Sequence, residues 1–86
     1  MKKSFVQKNI KLSMEFDRYL LDHPELEDMI PNDAYIIITI NGDQQFNDSS
    51  ISMLRNIKSK NIVEARKNKK TWSLRQLQVQ QFNSVS

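Results

Sequence analysis

The stretch that decides the fold is Ala34-Tyr35-Ile36-Ile37-Ile38-Thr39-Ile40, followed by Asn41-Gly42-Asp43. It is rich in β-branched residues and nearly continuously apolar. That composition suits a strand covered on both faces, the usual state of a parallel arrangement. The reading therefore predicts a central strand over 34–40. Asn41-Gly42-Asp43 is a turn signal that ends it.

Toward the C-terminus, residues 44–48 read as a polar loop that holds Phe46. Asp48 or Ser49 can cap a helix over about 50–60. Ile51, Leu54 and Ile57 fall on one face of that helix, with Met53 beside them. Lys58 and Lys60 then sit in its last turn, where cations suit the helix dipole. Ile62-Val63-Glu64-Ala65-Arg66 follows as a strand. Strand, helix and strand of these lengths make a βαβ unit, expected to be right-handed with parallel strands. Lys67-Asn68-Lys69-Lys70 is a turn, after which Thr71-Trp72-Ser73-Leu74-Arg75 returns as an antiparallel third strand.

Toward the N-terminus, residues 4–22 have the period of an amphipathic helix, with Ser4 as its cap. Phe5, Leu12, Phe16 and Leu20 form a stripe, and Val6, Ile10 and Tyr19 widen it. Glu15 with Arg18, and Arg18 with Asp22, have the spacing of helix ion pairs. His23-Pro24 closes the helix, because the residue before proline is pushed out of the helical region. Pro24 to Ile30 reads as a short second helix, stopped by Pro31-Asn32-Asp33. The expected fold class is α/β: two N-terminal helices followed by a βαββ unit with a small three-stranded mixed sheet. The expected core is Leu12, Phe16, Leu20, Ile36, Ile38, Ile40, Leu54, Ile57, Val63 and Trp72. Residues 1–75 make one domain, and 76–86 form a polar tail that reads as mobile in isolation.

One part of this pattern resembles a known family. Leu12-Ser13-x-Glu15-Phe16-x-Arg18-Tyr19-Leu20-Leu21-x-His23-Pro24-Glu25-Leu26, followed by Ile30-Pro31-x-Asp33-Ala34, is similar to small prokaryotic proteins grouped as a domain of unknown function. The likeness covers about residues 9–40 well and the later βαβ part loosely. It implies a small bacterial or archaeal cytosolic protein and carries over no catalytic residue. Small prokaryotic proteins of this kind often belong to toxin–antitoxin pairs.

The chain has 86 residues, no cysteine and a single histidine. Cysteine chemistry of every kind is excluded. The opening Met1-Lys2-Lys3 has no apolar run behind it, so a cytoplasmic location is expected and a signal peptide is not. No stretch has the roughly 20 apolar residues of a membrane span. The net charge of +3 hides a strong segregation. Residues 1–11 carry four lysines and no acid, residues 15–48 carry nine acids against Arg18, and residues 55–75 carry eight cations against Glu64. The chain is basic, then acidic, then basic.

Few residues could carry chemistry. His23 beside Glu25 or Asp22 could act as a base, but a lone histidine defines no mechanism and reads as a helix-boundary residue. Glu25, Glu27, Asp28 and Asp33 have no calcium-loop spacing and read as a solvated acidic face. The loop 41–50 leads from a strand into a helix, where phosphate often binds. It has no Walker or dinucleotide pattern, and Asp43 and Asp48 would repel the ligand. No catalytic residue, metal or cofactor is expected.

Two surfaces remain. Arg66, Lys67, Lys69, Lys70 and Trp72 join cations to an aromatic, as nucleic-acid and acidic-partner sites do, although Trp72 also reads as core. In the tail, Leu77, Val79 and Phe82 are apolar among glutamines, a pattern compatible with a strand added to a partner and equally with disorder. The expected function is a small non-enzymatic interaction protein that binds a protein partner or a second copy of itself, with an antitoxin as one form. The alternative is a nucleic-acid-binding regulator using 55–75.

Overall fold

The computed structural model describes residues 3–58 and 61–77. Helix α1 spans Lys3–Asp22, so Ser4 lies inside its first turn instead of capping it. His23-Pro24 ends α1, and Pro24 opens α2, Pro24–Glu27. The chain then tightens. Met29 N–H bonds to the Leu26 carbonyl and Ile30 N–H to the Glu27 carbonyl, so the segment expected to remain helical to Ile30 closes in three-residue turns.

The sheet contains β1, Tyr35–Ile40; β2, Ile62–Asn68; and β3, Thr71–Leu77. Its order is β1-β2-β3. β1 and β2 are parallel, with Tyr35 opposite Ile62 and Ile40 opposite Lys67. β2 and β3 are antiparallel, with Asn68 opposite Thr71. The mixed sheet is the one expected, but β1 lies at its edge and β2 at its centre. The apolar run of β1 reflects cover on its two faces, not strands on its two sides. Ile36, Ile38 and Ile40 pack toward α1, while Tyr35 and Ile37 pack toward Leu54 and Ile57.

The crossover helix starts earlier than expected. Helix α3 spans Gln44–Ser52 and passes into a tight helical turn, Met53–Asn56. Gly42 adopts a φ of +91°, which reverses the chain after β1. The Asp43 carboxylate then accepts the Phe46 N–H at 3.1 Å and caps the helix at once. Phe46 and Asn47 are therefore buried helix residues, not parts of a polar loop. At the other end Ile57 is already extended, which stops the helix short of the expected 60.

The core has two parts on opposite sheet faces. Phe5, Leu12 and Phe16 of α1 pack with Ile38, Phe46, Ala65 and Trp72. The Phe16 and Trp72 rings are tilted, with centroids 5.1 Å apart. Ile37, Leu54 and Ile62 fill the smaller cluster, which Leu77 also joins. Leu20, Ile36, Ile40 and Ile57 of the expected core are partly buried and pack against these clusters. Val6 and Ile10 do not widen the buried stripe of α1, because they lie on its outer side.

Candidate functional site

The basic segment does not form one surface. Trp72 is 7% exposed and packed on Phe16, so its ring is not presented for stacking on a base. Lys67 reaches back from β2 to Glu15 of α1 and ties sheet to helix. Glu15 thus takes this lysine and not Arg18 as its partner. Arg66 turns to the other sheet face. Its Nε and Nη2 donate to Glu64 Oε2 at 3.3 and 3.2 Å. Lys69 and Lys70 occupy the two-residue hairpin tip and are exposed.

Glu64 lies on the same sheet face as Ile37 and Ile62 and organises the polar part of that face. Its carboxylate accepts Thr39 Oγ1 from β1 and Arg75 Nη2 from β3, besides Arg66. Glu64 and Arg75 are directly opposed in the register. Burial pushes the Glu64 carboxyl up, but the Thr39 hydrogen bond and the two guanidinium groups outweigh it and hold it below the ordinary value. A shallow depression of about 270 Å³ lies here, lined by Glu64, Arg66, Ser73 and Arg75. Sequence reasoning passed over Glu64, although it was the single acid in the basic block.

The entrance to α3 is closed to anions. Asp43 occupies the helix N-terminus with its own carboxylate, and Lys8 pairs with it at 2.8 Å. The Lys8 hydrogen bond and the Phe46 N–H lower the Asp43 carboxyl below its ordinary value. Lys8 Nζ also lies 5.3 Å from the centre of the Phe46 ring. Asn47, one turn on, accepts the Ile40 N–H at 2.7 Å and donates to the Ile40 carbonyl at 2.8 Å. It meets the outer edge of β1 as a neighbouring strand would.

Helix α1 supplies what remains. Val6, Ile10, Met14 and Leu21 are 40, 57, 68 and 80% exposed. The spacing of these residues puts them on one strip of the helix, away from the Leu12 and Phe16 face. Among the described residues nothing packs over it. Sequence reading assigned Val6 and Ile10 to the buried stripe, and left Met14 and Leu21 unassigned.

The family model of DUF5647, described as a family of unknown function, matches residues 4–78. The chain belongs to that family. The match runs through both α1 and the whole sheet of this DUF5647 member, well past the 9–40 span that carries the sequence resemblance. No curated protein and no solved structure matches the chain.

The His-Pro pair of the DUF5647 chain has a visible local role. His23 Nδ1 lies 2.9 Å from the Tyr19 carbonyl, which can only accept, so Nδ1 carries the proton. The imidazole also stacks on the Tyr19 ring with centroids 3.9 Å apart. Both contacts fasten the boundary between α1 and α2. Among the described residues there is no group of three His, Cys, Asp or Glu that could hold a metal ion. No described helix is long and apolar enough to cross a membrane. Leu77 of the expected tail ends β3 opposite Ile62, while Val79 and Phe82 lie outside the described residues.

Proposed function

We propose that this DUF5647 protein is a small non-enzymatic interaction module whose contact surface is the outer face of α1. The observation that carries the reading is the strip of Val6, Ile10, Met14 and Leu21 on one side of a single helix. Burying one such side chain fully contributes about 1.5–3 kcal/mol. A chain of this length buries only about 60–65% of its unfolded surface. Leaving four large apolar groups in water on one face is costly for so small a core, and a partner removes that cost.

The test is the double variant Ile10→Lys, Met14→Lys, made in the full chain. Both positions are exposed, so the fold and its melting temperature should be kept. The wild type should elute from its native host with a protein partner or as an oligomer, and the variant should lose that association. A wild type that stays alone and monomeric at every concentration overturns the reading. The antitoxin role is the specific form to examine by co-expression. Growth arrest by a neighbouring reading frame should be relieved by this chain and not by the variant.

The nucleic-acid alternative rests on Lys69 and Lys70. They are exposed and, like Arg55 and Lys58, have no ion-pair partner among the described residues, whereas Arg66, Lys67 and Arg75 each meet a carboxylate.

A further inference from the structure

We infer that the outer face of α1 pairs with the same face of a second copy, antiparallel, about a two-fold axis beside Met14. The inference rests on the reading of that face as an interaction surface and names its occupant.

The charge pattern along the helix selects both the occupant and the direction. Along α1 the N-terminal end of the strip has Lys3 and Lys11 and no acid, Lys8 being paired with Asp43 on the other side of the helix. Around the C-terminal end the sequence has Asp17, Asp22, Glu25, Glu27 and Asp28 against Arg18. A partner helix must therefore be acidic where this one is basic, and basic where it is acidic. This chain carries that complementary pattern itself, provided the second copy runs the opposite way. A parallel pair would set lysines on lysines and acids on acids. A two-fold interface of this kind is closed, because each copy presents the same patch.

The apolar residues agree with the same register. The strip from Val6 to Leu21 is about 22 Å long, and its midpoint falls between Ser13 and Met14. Antiparallel pairing about that midpoint brings Val6 level with Leu21 of the second copy, and Met14 close to its own mate. Asp17 lies on the strip between Met14 and Leu21, where a charge would be costly if left unpaired. In this register Asp17 is level with Ile10 of the second copy, one residue from that copy's Lys11. Asp17 and Lys11 are both exposed, and among the described residues neither takes part in an ion pair. The two symmetric Lys11–Asp17 pairs would fix the register, as a single polar residue does in a helical seam.

The absence of cysteine makes the test clean. Met14→Cys should form a disulfide-linked dimer on mild oxidation. Val6→Cys and Leu21→Cys should not cross-link alone but should cross-link when mixed. Sedimentation equilibrium should give twice the 10.2 kDa chain mass. Lys11→Glu or Asp17→Lys should each weaken the dimer by roughly tenfold, and the double variant should restore it. Unchanged melting curves will show that these exposed substitutions keep the fold. Self-cross-linking of Val6→Cys alone would mean a parallel pair and overturn the inference. A monomer whose co-purifying protein is lost in Ile10→Lys, Met14→Lys ends self-pairing while leaving the contact-face reading intact. A dimer that ignores every α1 substitution ends both.

Discussion

Thr39 Oγ1 on the edge strand donates a 2.7 Å hydrogen bond to Glu64 Oε2 on the central strand. Thr39 is fully buried and Glu64 nearly so. Arg66 and Arg75 close over the carboxylate from the solvent side. The sheet thus holds a charged group where its neighbours Val63 and Ala65 are apolar, and three strands converge on one side chain.

Glu64→Ala should destabilise the fold by about 2–3 kcal/mol, since it leaves the Thr39 hydroxyl without its acceptor and removes a charge-assisted network. The acid dependence has a definite sign. The folded-state carboxyl is held below its ordinary value of 4.5, so its stabilisation is present above that value. It is lost as pH falls through the lower folded-state value. Glu64→Gln should therefore be less stable than wild type at neutral pH, and the gap should narrow in acid. Thermal melts followed by the fluorescence of Trp72, the single tryptophan, measure both.

Asn47 gives a separate prediction. Its amide satisfies both the N–H and the carbonyl of Ile40 on the open side of β1. Asn47→Ala should cost about 1–3 kcal/mol by leaving those groups unpaired. Asn47→Asp should cost more at neutral pH, because a carboxylate would face the Ile40 carbonyl in place of a donor. Urea titration of the two variants checks the order. Equal stability of both with wild type would remove Asn47 from the account of how this edge is closed.

Asp43 combines two jobs that substitution can separate. It caps α3 through the Phe46 N–H and pairs with Lys8. Asn is as good a cap as Asp but carries no charge. Asp43→Asn should lower the melting temperature less than Asp43→Ala does. Added salt should shrink the difference between wild type and Asp43→Asn, since that difference is an exposed ion pair. Melting curves at low and high salt decide the point.

These three residues also show where the sequence was readable. The apolar run 34–40, the proline at 24 and the βαβ spacing are local signals, and each names its element correctly. Leu12, Phe16, Ile38, Leu54, Val63 and Trp72 were legible as core from helical periodicity, strand composition and, for Trp72, sheer apolar size. Position in the sheet was not, because the same apolar run describes a strand flanked by others and an edge strand covered on two faces. Asn47 was equally hidden, since a side chain that imitates a strand partner has no pattern in sequence. The early start of α3 was legible in principle. Asp43 stands three residues before Phe46, but Asp48 and Ser49 offered competing caps. Val6 and Ile10 were misplaced for a simpler reason: a helix with two apolar strips looks, in a one-dimensional period, like one with a single wide stripe.

The hairpin tip separates stability from nucleic-acid binding. Lys69 has a φ of +60°, a conformation that side chains other than glycine and asparagine adopt at a cost. Asparagine fits it better and has no charge. Lys69→Asn should stabilise the fold by roughly 0.5–1 kcal/mol. Combined with Lys70→Gln, it removes both exposed tip cations without touching Lys67 and its tie to Glu15. If the tip binds phosphate, the double variant should bind a labelled duplex more weakly than wild type, and the salt slope of binding should fall by about two. Fluorescence anisotropy at two salt concentrations measures this. Unchanged duplex binding in a more stable variant would exclude the tip as a nucleic-acid site, and would leave the lysine at a strained position with no role that binding explains.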